Sequence, residues 1–376
     1  MQMLRLIIKP IFSCFLIVGL IPAGYAEQSI NLTCIHNELV EQNFSGNLLI
    51  ADGETILLQR QYGIANRETN AAYTERTVFG IGSVTKQFVA TAILKLAEQD
   101  KLSLSDTLPA FFDDVPEDKR SITLHQLLSQ SSGFPTNFKG KQLYEVLPHD
   151  VLAREAFKVK LSFEPGTQYQ YSNIGYSLLA RVIEKVSGEN WEQFIREEIL
   201  LPADLRQTGY RIPQYDESHL AVNYGADPNA FQRMFGIQAK SKPVGHSLAH
   251  LNENEGERWF EGAGGFVSTQ EDMFKWYLAL RRKSILSEKS WESMFTPHVA
   301  ENDSGTWHYG YGWAITSENG QKRITHNGSN GYSFAEFSYY PSLDVFIFVS
   351  TNDIDNYPEA LIQRLYELVV QHDQSQ

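Results

Sequence analysis

The sequence predicts an α/β (α+β) fold, with one antiparallel sheet assembled from both ends of the chain and a mainly helical subdomain inserted between the two contributions. Three observations predict it. Strand-like runs cluster in residues 46–63 and again after residue 306, whereas residues 83–200 read mostly as helix. No internal repeat or low-complexity linker divides the chain. At 376 residues, 42% of them hydrophobic, the chain exceeds what one compact core usually holds, so one large composite unit or two subdomains is expected. The expected boundaries are 27–100 with 262–376 for the α/β part and 101–261 for the helical insertion.

Taken in order, the chain opens with a basic stub (Arg5, Lys9), the apolar run "PIFSCFLIVGLIPAGYA", and small residues at Gly24 and Ala26 before Glu27. Residues 1–26 read as a secretory signal peptide cleaved near Ala26. Proline and glycine interrupt the run too often for a transmembrane helix; an uncleaved anchor and lipidation at Cys14 are the alternatives. A periplasmic or extracellular protein is expected, with no membrane insertion once the leader is removed. Cys34 is then the single cysteine of the mature chain and is expected to lack a partner.

Ile30 to Gln42 carries apolar residues at helical spacing, and "GNLLIADGETILLQRQYG" follows as two strands joined at Asp52-Gly53, a hairpin signal. Helical patterns then run from Ser83 to Leu200, with stops at Gly133, Pro148, Pro165 and Gly188. Residues 205–260 are polar and loop-rich. A helix capped by Ser268 or Thr269 leads into the strands "HYGYGWAIT", "KRITHNG", "YSFAEFSYYP" and "LDVFIFVSTN", and a last helix spans Pro358 to about Gln371.

The formal charge is −13 and becomes −15 without Arg5 and Lys9. An acidic surface of this size argues against nucleic acid or anionic lipid as the main partner.

The chemistry begins at "VFGIGSVTKQF", residues 78–88. On a helical wheel Gln87, Thr91, Lys95 and Glu98 form one polar stripe, the face expected to meet water. Lys86 lies instead with Ser83, Ala90, Leu94 and Ala97 on a face of small and apolar residues. Burial there lowers the amine's pKa toward the range of a base, and adjacent turns bring it to the Ser83 hydroxyl. Gly80 and Gly82 allow a tight entry that leaves the Ser83 N–H facing a substrate oxygen. The plain alternative is an N-cap serine and a lysine reaching the surface.

In "FEPGTQYQYSNIGYSLLARVIEKVSG", Pro165-Gly166 turns the chain and a helix begins after Asn173. Tyr171 and Asn173 thus sit at a helix start. A Lys86 cation beside Tyr171 would stabilise its phenolate, so Tyr171 is a candidate to share the base role; Asn173 is a candidate substrate ligand or a plain N-cap. In "RITHNGSNGYSF", Ile324, His326 and Gly328 share one face of a strand. Gly328 allows close backbone approach, and the Ser329 N–H is a candidate to complete an oxyanion site with that of Ser83.

Ser83-Val84-Thr85-Lys86, Tyr171-Ser172-Asn173 and His326-Asn327-Gly328, in this order, resemble the three motifs of the serine beta-lactamase and penicillin-binding-protein superfamily. The Tyr-x-Asn second motif places the resemblance in the class C beta-lactamase-like branch. "LLSQSSGFP", "FEPGTQYQYSN" and "EGAGGFVSTQEDM" resemble segments typical of it, so the likeness spans nearly the whole mature chain. The resemblance implies a beta-lactamase-like fold, an α/β sandwich with an all-helical subdomain and the site between them. It also implies a metal-free acyl-enzyme mechanism without cofactors on a small-molecule or peptide acyl substrate. By it, Ser83 is the nucleophile and Lys86 with Tyr171 the proton-transfer pair. Asn173 contacts the substrate, and the third-motif stretch His326, Gly328 and Ser329 lines its binding site.

One departure matters. The third motif of true beta-lactamases and transpeptidases usually begins with lysine, which helps bind a substrate carboxylate; His326 is mostly neutral near pH 7. The departure favours esterase or D-amino-acid peptidase relatives over beta-lactamases and DD-carboxypeptidases. A binding or sensor protein of the same fold is the non-enzymatic alternative. No serine has the Gly-x-Ser-x-Gly context of an α/β-hydrolase, and His246 and His250 lack the glutamate of a zinc hydrolase motif.

Overall fold

The computed structural model describes residues 32–226, 241–253, 255–318 and 320–373. The expected leader, 1–26, and residues 227–240 and 254 of the loop-rich region lie outside them. Among the described residues no helix is long and apolar enough to cross a membrane.

The described residues form an antiparallel sheet of eight strands: β1 (Gly46–Asp52), β2 (Thr55–Tyr62), β3 (Val299–Ala300), β4 (Trp307–Tyr309), β5 (Ala314–Glu318), β6 (Gln321–Ser329), β7 (Phe334–Tyr340) and β8 (Val345–Thr351). Their spatial order is β2-β1-β8-β7-β6-β5-β4-β3, so the expected joining of both ends occurs between β1 and β8. The register there runs from Gly46 opposite Thr351 to Asp52 opposite Val345.

Strand periodicity of two sorts these residues between two cores. Leu49, Ala51, Phe346 and Phe348 face one core; Leu48, Ile50, Ile347 and Val349 face the other. The second face is covered by α1 (Leu32–Glu41) through Ile35 and Leu39, and by α9 (Glu359–Asp373) through Leu361, Ile362 and Leu365. On the first face lie α2 (Thr85–Glu98) and α7 (Gln270–Arg281), where the Tyr277 ring stacks on Phe346 at 4.5 Å between centroids. Thr269 caps α7, its side chain accepting from the Asp272 N–H.

The inserted helices are α3 (Leu124–Leu128), α4 (His149–Lys158), α5 (Asn173–Ser187) and α6 (Trp191–Ile195), and α8 (Glu288–Met294) leads toward β3. Helix α5 ends at Gly188, where φ is +79°, as the sequence pattern predicts. Helix α2 lies between the sheet and α5 and belongs to one continuous core with both.

Four expectations need correction. The first half of the polar stripe of α2 does not face water: Gln87 and Thr91 are buried, Gln87 Oε1 accepting from Trp276 Nε1 at 2.8 Å and the Thr91 hydroxyl donating to Gln87 O at 2.7 Å, whereas Lys95 is half-buried and Glu98 exposed. The enclosed first turns of a helix keep polar residues where they find partners, as Gln87 Oε1 and the Thr91 hydroxyl do. Ser83 is no helix cap; it lies in a 3-10 turn, Gly82–Val84, ahead of α2. The run "HYGYGWAIT" is two strands, β4 and β5, reversed through Gly310–Gly312. Cys34 is disulfide-bonded in this structure.

Candidate active site

The first turn of α2 is built to hold a buried amine. Lys86 has no exposed surface, and its Nζ lies 2.7 Å from Asn173 Oδ1, 2.6 Å from Ala263 O and 3.1 Å from Ser83 Oγ. Burial drives its pKa well below the ordinary lysine value. A neutral amine has two N–H donors and one lone pair. Asn173 Oδ1 and Ala263 O are acceptors that take the two donors. In that form the lone pair is left for the Ser83 O–H; in the protonated form the third N–H donates to Ser83 Oγ.

Each partner of Lys86 is fixed by its own surroundings. Asn173 opens α5, but the cap is Ser172, whose Oγ accepts from the Gly175 N–H at 3.1 Å. The Asn173 side chain is thereby released to point at Lys86, and its Nδ2 donates to Asn137 Oδ1 at 2.7 Å, which sets which end of the amide faces the amine. The Asn173 N–H donates to Thr136 O, tying the two loops together. Ala263 sits in one helical turn, Glu261–Gly264, pressed into place: a Cβ on Gly262 would lie 2.5 Å from that of Ala180, and one on Gly264 would lie 2.4 Å from the Phe260 ring.

The oxygen-binding side comes from two backbones in near contact. Gly82 has a φ of +49°, and a Cβ there would lie 2.6 Å from Ser329 N; a Cβ on Gly328 would lie 2.4 Å from Ser83 N and 2.0 Å from Ile81 O. Only glycines let β6 approach the 3-10 turn this closely. The Ser83 and Ser329 main-chain nitrogens are therefore brought close together beside the partly exposed Ser83, the closeness that the expected oxyanion site requires.

Tyr171 and His326 close the other wall. Lys86 Nζ lies 4.8 Å from the Tyr171 ring centroid, and the Tyr171 and His326 rings are 6.1 Å apart. Desolvation pushes the Tyr171 phenol well up, against a hydrogen bond with Ser83 that lowers it. The phenol's net shift is upward, so desolvation outweighs the expected stabilisation of its phenolate by Lys86. The neutral phenol remains a donor. His326 is 5% exposed; its Nδ1–H donates to Asn327 O at 2.6 Å, which leaves Nε2 to accept from the Tyr309 hydroxyl at 2.9 Å. Desolvation first, then the proximity of Lys86, push its pKa down to about 3. The imidazole is neutral, as read from the sequence.

The structure thus brings together Ser83, Lys86, Tyr171, Asn173, His326, Gly328 and Ser329. Sequence reasoning missed Asn137 and the Ala263 carbonyl, and reads the aromatic run 306–313, which holds Tyr309, as packing more readily than as pocket lining. Asn137 lies two residues beyond "LLSQSSGFP". His250 is engaged elsewhere, stacking on Tyr144 and bonding to the Tyr210 hydroxyl.

The family description Beta-lactamase matches residues 37–371. Penicillin-binding protein 4* of Bacillus subtilis is 27% identical over 335 residues, covering 86% of this chain and 72% of that protein. The octameric penicillin-binding protein homologue from Pyrococcus abyssi superposes with a TM-score of 0.76 at 26% identity, over 91% of this chain and 78% of that one. The penicillin-binding protein from Bacillus halodurans gives 0.73 at 28% identity, over 88% and 98%. With the matched span covering nearly all the described residues, the chain belongs to the beta-lactamase family and is a serine hydrolase.

Proposed function

We propose that Ser83 is acylated by small esters or by amides and short peptides of D-amino acids, and that water then releases the acyl group. The observation that carries this reading is the buried Lys86 amine, with two acceptors on its N–H groups and Ser83 Oγ at 3.1 Å. Lys86 accepts the Ser83 proton as Oγ attacks the carbonyl carbon. The oxyanion is met by the Ser83 and Ser329 N–H groups, and Tyr171 with Lys86 passes the proton to the leaving group. Asn173 orients the amine and presents its amide edge to the substrate.

The neutral, buried His326 offers no fixed cation to a substrate carboxylate, which favours esters and D-aminoacyl substrates over beta-lactams. The similarity to penicillin-binding proteins supports penicillin acylation as the second reading. The leader-like sequence of residues 1–26 supports export across the inner membrane, testable by N-terminal sequencing of the secreted protein.

The deciding experiment follows p-nitrophenyl butyrate hydrolysis by the wild type and Ser83→Ala, with a chromogenic cephalosporin in parallel. Many turnovers of the ester, lost in a folded Ser83→Ala protein, are expected. Undiminished ester turnover in that variant removes Ser83 as nucleophile, a faster cephalosporin reaction moves the protein to the second reading, and a single burst makes it a sensor.

A further inference from the structure

Next to Tyr169, just after β3, Glu301 carries a carboxyl group that the proposed chemistry leaves unused. Its main-chain N–H donates to Trp307 O at 2.8 Å, so the β3–β4 connection fixes the root of the side chain. Its Oε1 is shut from water and accepts no hydrogen bond from the described residues. Burial pushes its pKa up to about 7, opposed by a hydrogen bond with the Tyr169 hydroxyl, and among the described residues no cation is a cause of the shift. The charge is therefore under-compensated, a costly state for a carboxylate.

Its position matters for the site. The carboxylate bears on both Tyr169 and Tyr171, whose phenols it pushes up. The Tyr169 ring lies 5.9 Å from that of Tyr309, the residue that bonds His326. Lys86, Tyr171, Tyr309 and His326 are all neutral or driven toward neutrality. Within this group Glu301 supplies a negative charge in its ionised form, about half of it at pH 7 and more above that.

We propose that Glu301 is a specificity-determining residue whose carboxylate selects acyl groups bearing an ammonium, as in aminoacyl esters, amides and short peptides, over neutral or acidic ones. The proposal rests on the Ser83 reading above. A substrate ammonium near Tyr169 and Tyr171 supplies the missing counter-charge at short range in a poorly solvated wall, whereas a substrate carboxylate is repelled.

The test uses p-nitrophenyl butyrate turnover as the reporter and two competitors of nearly equal shape, alaninamide, cationic at pH 7, and isobutyramide, neutral. Both enantiomers of alaninamide are used. In the wild type, alaninamide of at least one hand should inhibit about tenfold more tightly than isobutyramide, and in Glu301→Gln this ratio should fall to near one. Glu301→Asp, which keeps the charge, should retain most of it. Equal inhibition in the wild type, or a ratio that survives in Glu301→Gln, overturns the proposal. If Glu301→Gln does not fold, the wild-type ratio and its retention in Glu301→Asp but not Glu301→Ala decide. Ester turnover that persists in Ser83→Ala strikes the underlying reading instead, and leaves the competitor ratio to be measured by direct titration.

Discussion

Asn173 Oδ1 accepts a hydrogen bond from Lys86 Nζ at 2.7 Å, and this bond joins the first turn of α5 to the first turn of α2. The helical insertion and the sheet-borne helix thus meet at the amine assigned the proton transfer. Four consequences can be measured.

Asn173→Asp places a carboxylate where the neutral amide oxygen sits. An opposite charge at that distance favours the protonated amine and raises the Lys86 pKa. A base is active only when unprotonated, so the acidic limb of kcat/KM for p-nitrophenyl butyrate should move to higher pH by about one unit or more. An unmoved limb would show that the limb does not report on Lys86.

Lys86→Met keeps the volume and removes the amine. Hydrolysis should fall by about a thousandfold or more, while stability at pH 7 should hold or rise. The sign follows from linkage. The folded amine binds a proton more weakly than the unfolded one, whose value is near 10.5, so the wild type gains stability as pH climbs toward that value. The stability difference between wild type and Lys86→Met, from urea unfolding at pH 7 and 9, should therefore shift in favour of the wild type at the higher pH.

Gly328→Ala puts a methyl group 2.0 Å from Ile81 O and 2.4 Å from Ser83 N, both backbone atoms. Neither can rotate away. The strand must part from the turn, widening the space between the Ser83 and Ser329 N–H groups. A loss of about 100-fold in kcat, the scale of one oxyanion donor, is expected with a lowered thermal midpoint. Normal kcat in a stable variant would remove these N–H groups from the mechanism.

Tyr309→Phe deletes the donor to His326 Nε2 and should cost about 1–3 kcal/mol at pH 7. The depressed His326 pKa, about 3 when folded against 6.5 in the reference state, means that the unfolded chain binds the proton first as pH falls. Wild-type stability should decline below about pH 6.5 on this account. Without the tyrosine the ring protonates more readily, so unfolding measurements at pH 7 and 5 should show a smaller decline in the variant. An identical decline would mean that His326 does not govern it.

The part of the site legible in sequence was the part that sits on one regular element. Ser83 and Lys86 share a helical face, and Ile324, His326 and Gly328 a strand face, because period and side-chain direction follow from the backbone alone. The misreadings have one cause, which is that neighbours distant in sequence decide burial. Gln87 and Thr91 look like a solvent stripe until Trp276 is placed over them. Tyr171 looks like an activated phenol until its own burial, which pushes the phenol up, is counted. Asn137 and the Ala263 carbonyl carry no periodicity, and a main-chain oxygen has no residue-type signature at all. The joining of both chain ends in one sheet was legible because unpaired strands at each end have no other way to satisfy their backbones.

The pairing of β1 with β8 bears on the order in which the molecule can be made. Ser45 and Asn352, which bond at 3.0 Å, are 307 residues apart in the chain. Closing so long a loop is slow, and it cannot begin before β8 has been synthesised. During elongation the nascent polypeptide has its serine and lysine but no framework to bring β6 against them. Activity should arrive late and all at once, so a truncated product lacking β8 is an inert one.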